Sequence, residues 1–427
     1  MPQLAYSVIE KLWRLNRIFC SSDYDASLEI LKKYLPFKIH EYRSNVPHKG
    51  WEIPPKWDLV KGIIRFEGKT IYEVDHPLKI IGLSRTVKDS VSRDELRKHL
   101  FYDRRDPNNI PYHFRQHYRP WDRDWGFCVP QNFYDSLQEG QYEVEIDAKE
   151  SEGYLKVAEY VKEGQYPFGF AFVAHLDHPG MANDDLAGVA VGVDLLHRLS
   201  QIETKFTYRL VLVQEILGSV FYFDKTYSKG PPIIESCFLE MLGTKTPLAL
   251  QYSRLGKSCL EHTLEQVLKK SSLNYRTGPF RSVICNDEVV WESFQIPMCS
   301  LSRYPYPEYH SDKDNPSIID RQILEETVEL LYQTVLELDK KIMMEKHFEG
   351  VYSLAHPNYN LYIDPGQPAF SALPSESTMK LRSLMDEMPL LPQFTCVNTL
   401  ADQIQLPFEE VYNYLQLWKD KGLISLT

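Results

Sequence analysis

The sequence predicts an α/β protein with a mainly parallel central sheet flanked by helices, an inserted small β-rich domain and a C-terminal winged helix. Three observations lead to this prediction. Buried strand patterns alternate with helix patterns from about Gly140 to Lys341, as in layered α/β folds. Short alternating runs and aromatic loops fill residues 51–137, and a helix-turn-helix pattern lies near the end of the chain.

The first 137 residues divide into a helical part and a part of β character. Apolar residues recur near a 3.6-residue period between Tyr6 and Tyr34, which predicts helix. From about Trp51, paired prolines and alternating runs such as Ile63-Ile-Arg-Phe predict short strands and long loops. The predicted division is residues 1–50 and 138–345 for the α/β domain, 51–137 for the inserted domain, and 346–427 for a linker and winged-helix domain.

Strand and helix patterns then alternate within the α/β domain. The predicted strands are one that begins at Gln141, Phe168–His175, Phe206–Val213, one near Cys237 and one from Met298 to Ser302. The predicted helices are Leu186–Leu199, one near Val220, one from about Ser258 to Lys270 and one near Pro316 to Lys341. The first of these helices is apolar on nearly all sides, so we expect it to pack at the centre of the fold.

The C-terminal pattern consists of a short helix, a Leu-Pro turn, a longer amphipathic helix and a final strand, which predicts a winged helix. A DNA-binding role would need Lys and Arg for phosphate contacts. The longer helix instead carries Glu409, Glu410 and Asp420 against Lys419 and Lys421. With 48 Lys and Arg against 59 Asp and Glu, the net charge is −11. We therefore expect no nucleic-acid partner.

The cysteines and the apolar runs indicate the cellular compartment in which we expect the protein. Seven scattered cysteines form no Cys-x-x-Cys pair, which disfavours a disulfide framework or a structural zinc knuckle. No apolar run approaches the roughly 20 residues of a membrane helix, and charged residues interrupt the N-terminal segment. We expect a cytoplasmic protein without a membrane partner, and the sequence leaves a homo-oligomer open.

The segment from Ala174 to Ala190 carries the chemistry. The predicted strand delivers His175 to the carboxyl edge of the sheet, where α/β folds bind ligands. Asp177 follows two residues later, and Asp184 and Asp185 begin the central helix. An imidazole and a carboxylate that converge there suit a divalent metal such as Zn²⁺, and Asp177 could orient His175. The competing interpretation is that Asp184 and Asp185 only cap the helix.

Three further candidates follow later strands. Glu215 comes after the strand that ends at Val213, Glu240 lies in an apolar run, and His310 follows an aromatic loop. A lone buried carboxylate such as Glu240 is costly unless it is paired or bound to metal. Each residue alone is weak evidence, but their order on successive strand ends indicates a site.

These motifs resemble the zinc aminopeptidase clan that includes bacterial leucyl aminopeptidases. The matching motifs are His-x-Asp, Ala-Asn-Asp-Asp-x-x-Gly-Val-Ala, Glu before Gly-Ser, an acid before Met-x-Gly, and Tyr-His. Nearly the whole chain is also similar to a bacterial aminopeptidase-like family with a small inserted domain and a C-terminal winged helix. The segments that carry this closer similarity begin at Gly50, Trp125 and Tyr304.

The resemblance implies two zinc ions. His175, Asp184 and Glu240 would hold one, and Asp184 would bridge to a second ion held by Glu215 and His310. The chain departs from the clan at the acidic pair before Gly-Ser, because Gln214 stands where the first acid is expected. Either Glu215 is a ligand and the base is missing, or Glu215 is the base and one zinc is held by His175, Asp184 and His310. A hydrolase needs a proton acceptor, which favours the second alternative and leaves Glu240 open as a ligand.

We therefore predict a zinc-dependent hydrolase of amide bonds, aminopeptidase-like, that uses metal-activated water with Glu215 as the general base. Its partner would be a peptide or an amide-containing small substrate. The alternatives are a carboxypeptidase or amidohydrolase that acts on a modified amide, or a non-catalytic scaffold with a winged helix that binds a partner. His178 and the pair Asp287-Glu288 lie near the motifs without an assigned role.

Overall fold

The structure is a computed structural model that describes residues 4–227, 232–366 and 373–427. It divides into two compact units. The first comprises the chain up to Gly256 together with Val267–Tyr332, and the second comprises Lys257–Gln266 and Gln333–Thr427. The domain boundaries proposed from the sequence at residues 50, 137 and 345 stay predictions.

The described residues form helices and strands that we number in chain order. The helices are α1 (Leu4–Leu12), α2 (Ser22–Leu31), α3 (Arg93–Lys98), α4 (Gln131–Asp135), α5 (Leu186–Leu199), α6 (Leu217–Lys225), α7 (Cys259–Lys270), α8 (Glu288–Ser293), α9 (Arg321–Leu338), α10 (Glu376–Glu387), α11 (Val397–Ile404) and α12 (Phe408–Asp420). The strands are β1 (Lys38–Arg43), β2 (Lys56–Phe66), β3 (Lys69–Glu73), β4 (Val87–Ser92), β5 (Leu100–Phe101), β6 (Phe127–Cys128), β7 (Gln141–Ser151), β8 (Tyr154–Lys162), β9 (Gly169–His175), β10 (Thr207–Val213), β11 (Ile233–Glu240), β12 (Leu248–Gln251), β13 (Tyr275–Gly278), β14 (Met298–Ser302), β15 (Met343–Lys346), β16 (Phe394–Cys396) and β17 (Ile424–Leu426).

The first unit is built on an eight-stranded mixed sheet with the order β1-β8-β10-β9-β11-β14-β12-β13. The four strands β10, β9, β11 and β14 are parallel to one another and fully buried, or nearly so, as their continuous apolar sequences predict. The flanking pairings of β8 with β10 and of β12 with β14 are antiparallel. The pairing of β1 with β8 is antiparallel and that of β12 with β13 is parallel. The predicted parallel strands are therefore confirmed at the centre of a sheet that is mixed as a whole.

Helix α5 lies against this sheet and has the bounds that the sequence predicts. Twelve of its 14 residues are buried, because it packs on α1 and on β9, β10 and β11. Gly188 faces the backbone carbonyl of Leu239 so closely that a side chain there would collide with it. This contact brings the start of α5 beside the end of β11.

A second sheet in the first unit has four antiparallel strands in the order β3-β2-β7-β4. Its own hydrophobic core contains Trp57, Ile64, Phe127 and Tyr142. The strand β7 belongs to this sheet, and the next strand, β8, belongs to the central one. The aromatic stretch from Ile110 to Tyr118 connects elements of this region and reaches the functional residues described below.

The second unit contains a three-stranded antiparallel sheet, β16-β15-β17, with α10, α11 and α12. Its core includes Leu400, Val411, Leu415 and Trp418. The two helices and the final strand that the C-terminal pattern predicts are present in this unit.

Some elements differ from the expected ones. The N-terminal helical region is two helices, α1 and α2, separated by a turn in which Ser21 caps α2 by accepting a hydrogen bond from Tyr24 N at 3.0 Å. Strands β8, β12 and β13 were not expected, because each is short or carries polar residues that weaken its pattern. Within the described residues, no helix is both long and apolar enough to cross a membrane.

The close approach of α5 to β11 predicts unequal effects for two Gly-to-Ala variants of one helix. Gly188→Ala should lower the free energy of unfolding by about 2 kcal/mol, since its new methyl group meets rigid backbone. Gly192→Ala is the matched control, because its methyl group meets only the side-chain end of Leu210. Any loss of stability in Gly192→Ala should be largely offset by the higher helix preference of Ala over Gly, which is worth about 1 kcal/mol. Urea unfolding checks both, and equal stabilities would contradict the close packing of α5.

Candidate metal centre

The functional residues gather at the carboxyl edge of the parallel strands. His175 is the last residue of β9, Glu215 follows β10 by two residues, and Glu240 ends β11. His310 lies in the loop that follows β14. Because these four strands are parallel, their carboxyl ends share one edge, where α/β folds place ligands.

Histidine and carboxylate side chains at this edge form two overlapping groups. His175, Asp177, His178 and Asp185 make the first, and in each group the candidate ligand atoms lie within 4.8 Å of one another. The second group consists of His178, Asp184 and His310. All except His310 are buried, so both groups are largely withdrawn from water.

One contact in these groups, between His175 and Asp185, has the spacing of ligands that share a metal, and the contact between His310 and Asp184 is slightly shorter. His310 Nε2 lies 3.1 Å from Asp184 Oδ2, and His175 Nδ1 lies 3.4 Å from Asp185 Oδ2. Two ligand atoms of a tetrahedral zinc are roughly 3.3–3.6 Å apart, given the usual bond lengths. The contact between His178 Nδ1 and Asp185 Oδ2 is shorter, at 2.5 Å.

The ligands that the resemblance implies are thus distributed over the site. His175 lies in the first group, and Asp184 and His310 are in contact in the second. Glu240 lies outside both groups, where its Oε2 accepts a hydrogen bond from Asn286 Nδ2 at 2.7 Å. Its Oε1 has no hydrogen-bond partner among the described residues. The role of Glu240 as a ligand stays a prediction.

His178 and Asp185 are members of these groups that the sequence did not single out as ligands. Asp185 occupies the position before α5, yet within the described chain its side chain makes no capping hydrogen bond. Its carboxylate contacts His178 and His175 instead. The geometry therefore favours a site role for Asp185 over the capping interpretation.

Arg17 holds the loop that carries His178. Its buried guanidinium donates hydrogen bonds to the carbonyl oxygens of Leu176 at 3.2 Å and Met181 at 3.3 Å, and also to that of His178. These bonds satisfy carbonyls that the loop would otherwise bury without partners. A residue near the N-terminus thus fixes a loop about 160 positions away.

Asp314 fixes the next part of the same loop. One or other of its carboxylate oxygens accepts hydrogen bonds from Ala182 N, Asn183 N and Asp184 N at 3.1, 2.6 and 3.0 Å, and from Tyr306 Oη at 2.6 Å. This arrangement sets the backbone from which Asp184 projects. In the sequence, the only hint of this arrangement is an acidic residue near His310.

The contacts of Asp177 and Asp287 differ from expectation. His175 Nε2 lies 2.7 Å from Asp287 Oδ2, in the place where the sequence put Asp177. Asp177 Oδ1 instead accepts a hydrogen bond from Glu215 N at 2.9 Å. Asp287 therefore contacts the end of β9, and Asp177 connects the loop after β9 to Glu215.

Glu215 is the accessible acid of the site. Its side chain is 24% exposed, and its Oε2 accepts a hydrogen bond from Tyr118 Oη at 2.5 Å. His178 Nε2 lies 3.9 Å from the same oxygen. The sequence did not identify Tyr118, which belongs to the aromatic stretch of the predicted inserted domain.

The charges of the site are strongly coupled. Burial and the neighbouring Asp185 raise the pKa of Asp184 well above its usual value. Burial opposes ionisation of Asp185 as well, but His178 and the other partners hold the pKa of Asp185 well below its usual range. Burial lowers the pKa of His178, but Asp185, Asp177 and Glu215 together outweigh burial and raise that pKa to about 9. Burial lowers the pKa of His310 to about 3, which leaves its imidazole neutral and able to bind a metal.

The residues fit a divalent cation. Arg17 supplies a buried positive charge that reaches Asp185 and Asp177. The acidic side chains buried around the site are more numerous, namely Asp177, Asp184, Asp185, Glu240, Asp287, Glu288 and Asp314. Buried carboxylates that lack counter-charge are costly, and a bound metal ion removes that cost. Imidazole and carboxylate ligands together are compatible with zinc.

Comparisons with known proteins agree with the fold. Residues 6–341 match the model of the family described as "Domain of unknown function (DUF4910)". A curated relative from Clostridium acetobutylicum is 26% identical over 364 residues, which cover 82% of this chain and 83% of the relative. It is named "Putative polysaccharide biosynthesis protein with aminopeptidase-like domain".

Two solved structures illustrate the similarity. A "putative peptidase" from Clostridium acetobutylicum superposes with a TM-score of 0.76 at 21% identity, over 99% of this chain and 96% of that one. A zinc aminopeptidase from Bacillus subtilis gives a TM-score of 0.57 at 14% identity, over 78% of this chain and 94% of that one. The fold is therefore similar to that of zinc aminopeptidases.

Metal removal should destabilise the protein, because the buried carboxylates lose their counter-charge. Treatment with 1,10-phenanthroline should lower the Tm by roughly 5–10 °C if zinc was present at a thousand times its Kd. Adding zinc should restore the Tm, and scanning calorimetry measures both changes.

Two histidine variants test whether the change of Tm with zinc comes from the candidate metal centre. His310→Ala should weaken the response to zinc, whereas His197→Ala, a histidine at the end of α5, should leave it intact. A protein that contains no zinc by elemental analysis and whose Tm does not respond to zinc would contradict a metal centre here.

Proposed function

The chain belongs to the DUF4910 family, and we propose that it is a zinc-dependent hydrolase of amide bonds, aminopeptidase-like, with Glu215 as its general base. One observation carries this proposal. Two overlapping groups of histidines and carboxylates occupy the carboxyl edge of the parallel strands, beside a glutamate that is partly open to solvent. This combination provides metal ligands and a proton acceptor in one place.

The ligands would come from His175 of the first group and from Asp184 and His310 of the second, with His178 and Asp185 beside them. Glu240 lies outside both groups but interacts electrostatically with Asp185 and His175. A bound zinc ion would supply Lewis-acid chemistry, since it lowers the pKa of a water molecule and polarises a carbonyl group. Asp177 would act indirectly, because it binds the backbone N–H of Glu215 and so holds the base in position.

Glu215 would take a proton from the attacking water and pass it to the leaving amine. The neighbouring Gln214 cannot share this task, because an amide is not a base. Its side chain also donates a hydrogen bond to the carbonyl oxygen of Lys156 at 3.0 Å, on β8. Gln214 is therefore not a proton acceptor, which leaves Glu215 as the proposed base.

Tyr118 would orient that base. Its hydroxyl donates to one oxygen of the Glu215 carboxylate and leaves the other oxygen available for a proton. Phe19 and Phe114 pack against the Tyr118 ring at centroid distances of 5.6 and 6.3 Å. These contacts restrict the tyrosine to a position where the hydrogen bond can form.

The remaining parts of the proposal come from the sequence. The substrate would be a peptide or a small amide, handled in the cytoplasm by a member of the clan that includes leucyl aminopeptidases. Residues 51–137 would be an inserted β-rich domain, which the separate four-stranded sheet supports. Residues 346–427 would include a winged helix, which α11, α12 and β17 support.

Glu215→Gln tests the role of the base. Hydrolysis of aminoacyl or N-acyl amides should fall by about 10²–10⁴-fold, because general-base catalysis contributes that much. The zinc content should stay unchanged, as measured by elemental analysis. If the variant loses zinc, Glu215 is a ligand instead. If the wild-type protein holds zinc but hydrolyses no amide in the screen, the proposed activity is wrong.

Tyr118→Phe tests the orientation of the base. Loss of one charge-assisted hydrogen bond, worth about 1.5–3 kcal/mol, should lower kcat by at least about tenfold and change KM little. Tyr72→Phe is the matched control, because Tyr72 Oη donates a buried hydrogen bond to Cys128 O, away from Glu215. It should reduce stability and leave kcat near that of the wild type. Equal kcat in both variants would contradict the role of Tyr118.

A further inference from the structure

The imidazole of His175 lies between two carboxylates. On one side, its Nε2 atom is 2.7 Å from Asp287 Oδ2, within hydrogen-bond distance. On the other side, its Nδ1 atom is 3.4 Å from Asp185 Oδ2 and faces the first group of candidate ligands. The two ring nitrogens therefore have different surroundings.

Asp287 is itself held by several elements. Its Oδ2 also accepts a hydrogen bond from Ile216 N at 2.9 Å, and its Oδ1 accepts one from the hydroxyl of Ser219. Ser219 Oγ in turn accepts a hydrogen bond from Trp291 Nε1 at 3.0 Å. Asp287 and Trp291 are fully buried, so this carboxylate has little freedom to turn away from His175.

These contacts determine which nitrogen carries the proton. Asp287 accepts hydrogen bonds from Ile216 N and Ser219 Oγ, and Nε2 of His175 lies closer to Asp287 (2.7 Å) than Nδ1 lies to Asp185 (3.4 Å), so the geometry favours Nε2 as the protonated nitrogen of a neutral imidazole. A neutral imidazole then has its lone pair on Nδ1, the atom that faces Asp185. A histidine binds metal through the nitrogen that has the lone pair, while a carboxylate commonly receives the other N–H.

We propose that Asp287 is a positioning residue that fixes His175 as the Nε2–H tautomer, so that His175 binds the metal through Nδ1. This inference rests on the proposed zinc site and names the residue that orients its ligand. The same carboxylate binds Ile216 N, next to the proposed base. Asp287 therefore links the metal ligand on β9 to the turn that carries Glu215.

Zinc affinity tests the proposal with a matched pair of variants. Asp287→Asn keeps the shape of the side chain but removes its charge, and it should weaken zinc binding by about 10–100-fold. Asp194→Asn is the control, because Asp194 is also buried and accepts hydrogen bonds from Ala5 N at 3.2 Å and Arg198 Nε at 3.0 Å, away from the candidate ligands. It should lower the Tm of the zinc-free protein and leave the Kd for zinc unchanged. Competition with a chromophoric chelator measures the Kd in full-length proteins whose folding has been checked by circular dichroism.

A measurement on the wild-type protein tests the tautomer directly and does not depend on whether a variant folds. Nitrogen-15 NMR of the histidine-labelled, zinc-loaded protein should show a proton on Nε2 of His175 and a zinc-shifted Nδ1. The spectrum of His175→Gln would assign the signal. A proton on Nδ1 with zinc at Nε2 would overturn the proposal.

The outcomes separate this proposal from the proposed function. If the wild type binds zinc and Asp287→Asn binds it equally well, or if Asp194→Asn weakens it as much, only the role of Asp287 is wrong. If the wild type takes up no zinc, both the metal centre and the role of Asp287 are wrong.

Discussion

The burial of negative charge at one edge of the central sheet is the constraint on which this structure depends. Asp184, Asp185 and Glu240 all lie within a few per cent of full burial, where an uncompensated carboxylate is costly. The opposite pKa shifts of Asp184 and Asp185 show how tightly the two neighbouring acids compete for protons and cationic partners. A divalent cation satisfies several of these groups at once, and the surrounding histidines are placed to share it.

Hydrogen bonds from distant parts of the chain hold the buried carboxylates and the loop after β9 in place. Arg17 binds the carbonyl groups of the loop after β9, Asp314 binds the amide groups before α5, and Asp287 binds His175. Donors and acceptors are matched in each case, so protein groups alone hold the backbone of the loop. Such preorganisation suits a site that must hold an ion in one geometry.

The parts that could be predicted from the sequence depend on local patterns. The bounds of α5 and the central strands follow from apolar runs and periodicity, and the order of acids and histidines indicated the edge on which the site lies. The loop partners of Arg17 and the partners of Asp287 could not be predicted, because they lie 68 to 164 residues away and no local pattern connects them. His178 was also passed over as a ligand, since a histidine three residues from another is indistinguishable by spacing from a structural one. The antiparallel pairings of β8 with β10 and of β12 with β14 depend on the path of the chain between strands, which residue patterns do not encode.

The residue that binds the proposed base comes from a different part of the chain than the candidate ligands. Glu215 follows a strand of the central sheet, but the hydroxyl that binds it belongs to Tyr118, at the end of the aromatic stretch. That stretch pairs with the loop that carries His310, because Tyr112 N donates to His310 O at 3.0 Å and Asp312 N donates to Ile110 O at 3.0 Å. One strand-like contact therefore places both a candidate ligand and the group that orients the base. In the proposed mechanism, residues 110–118 therefore belong to the catalytic site together with the ends of the central strands.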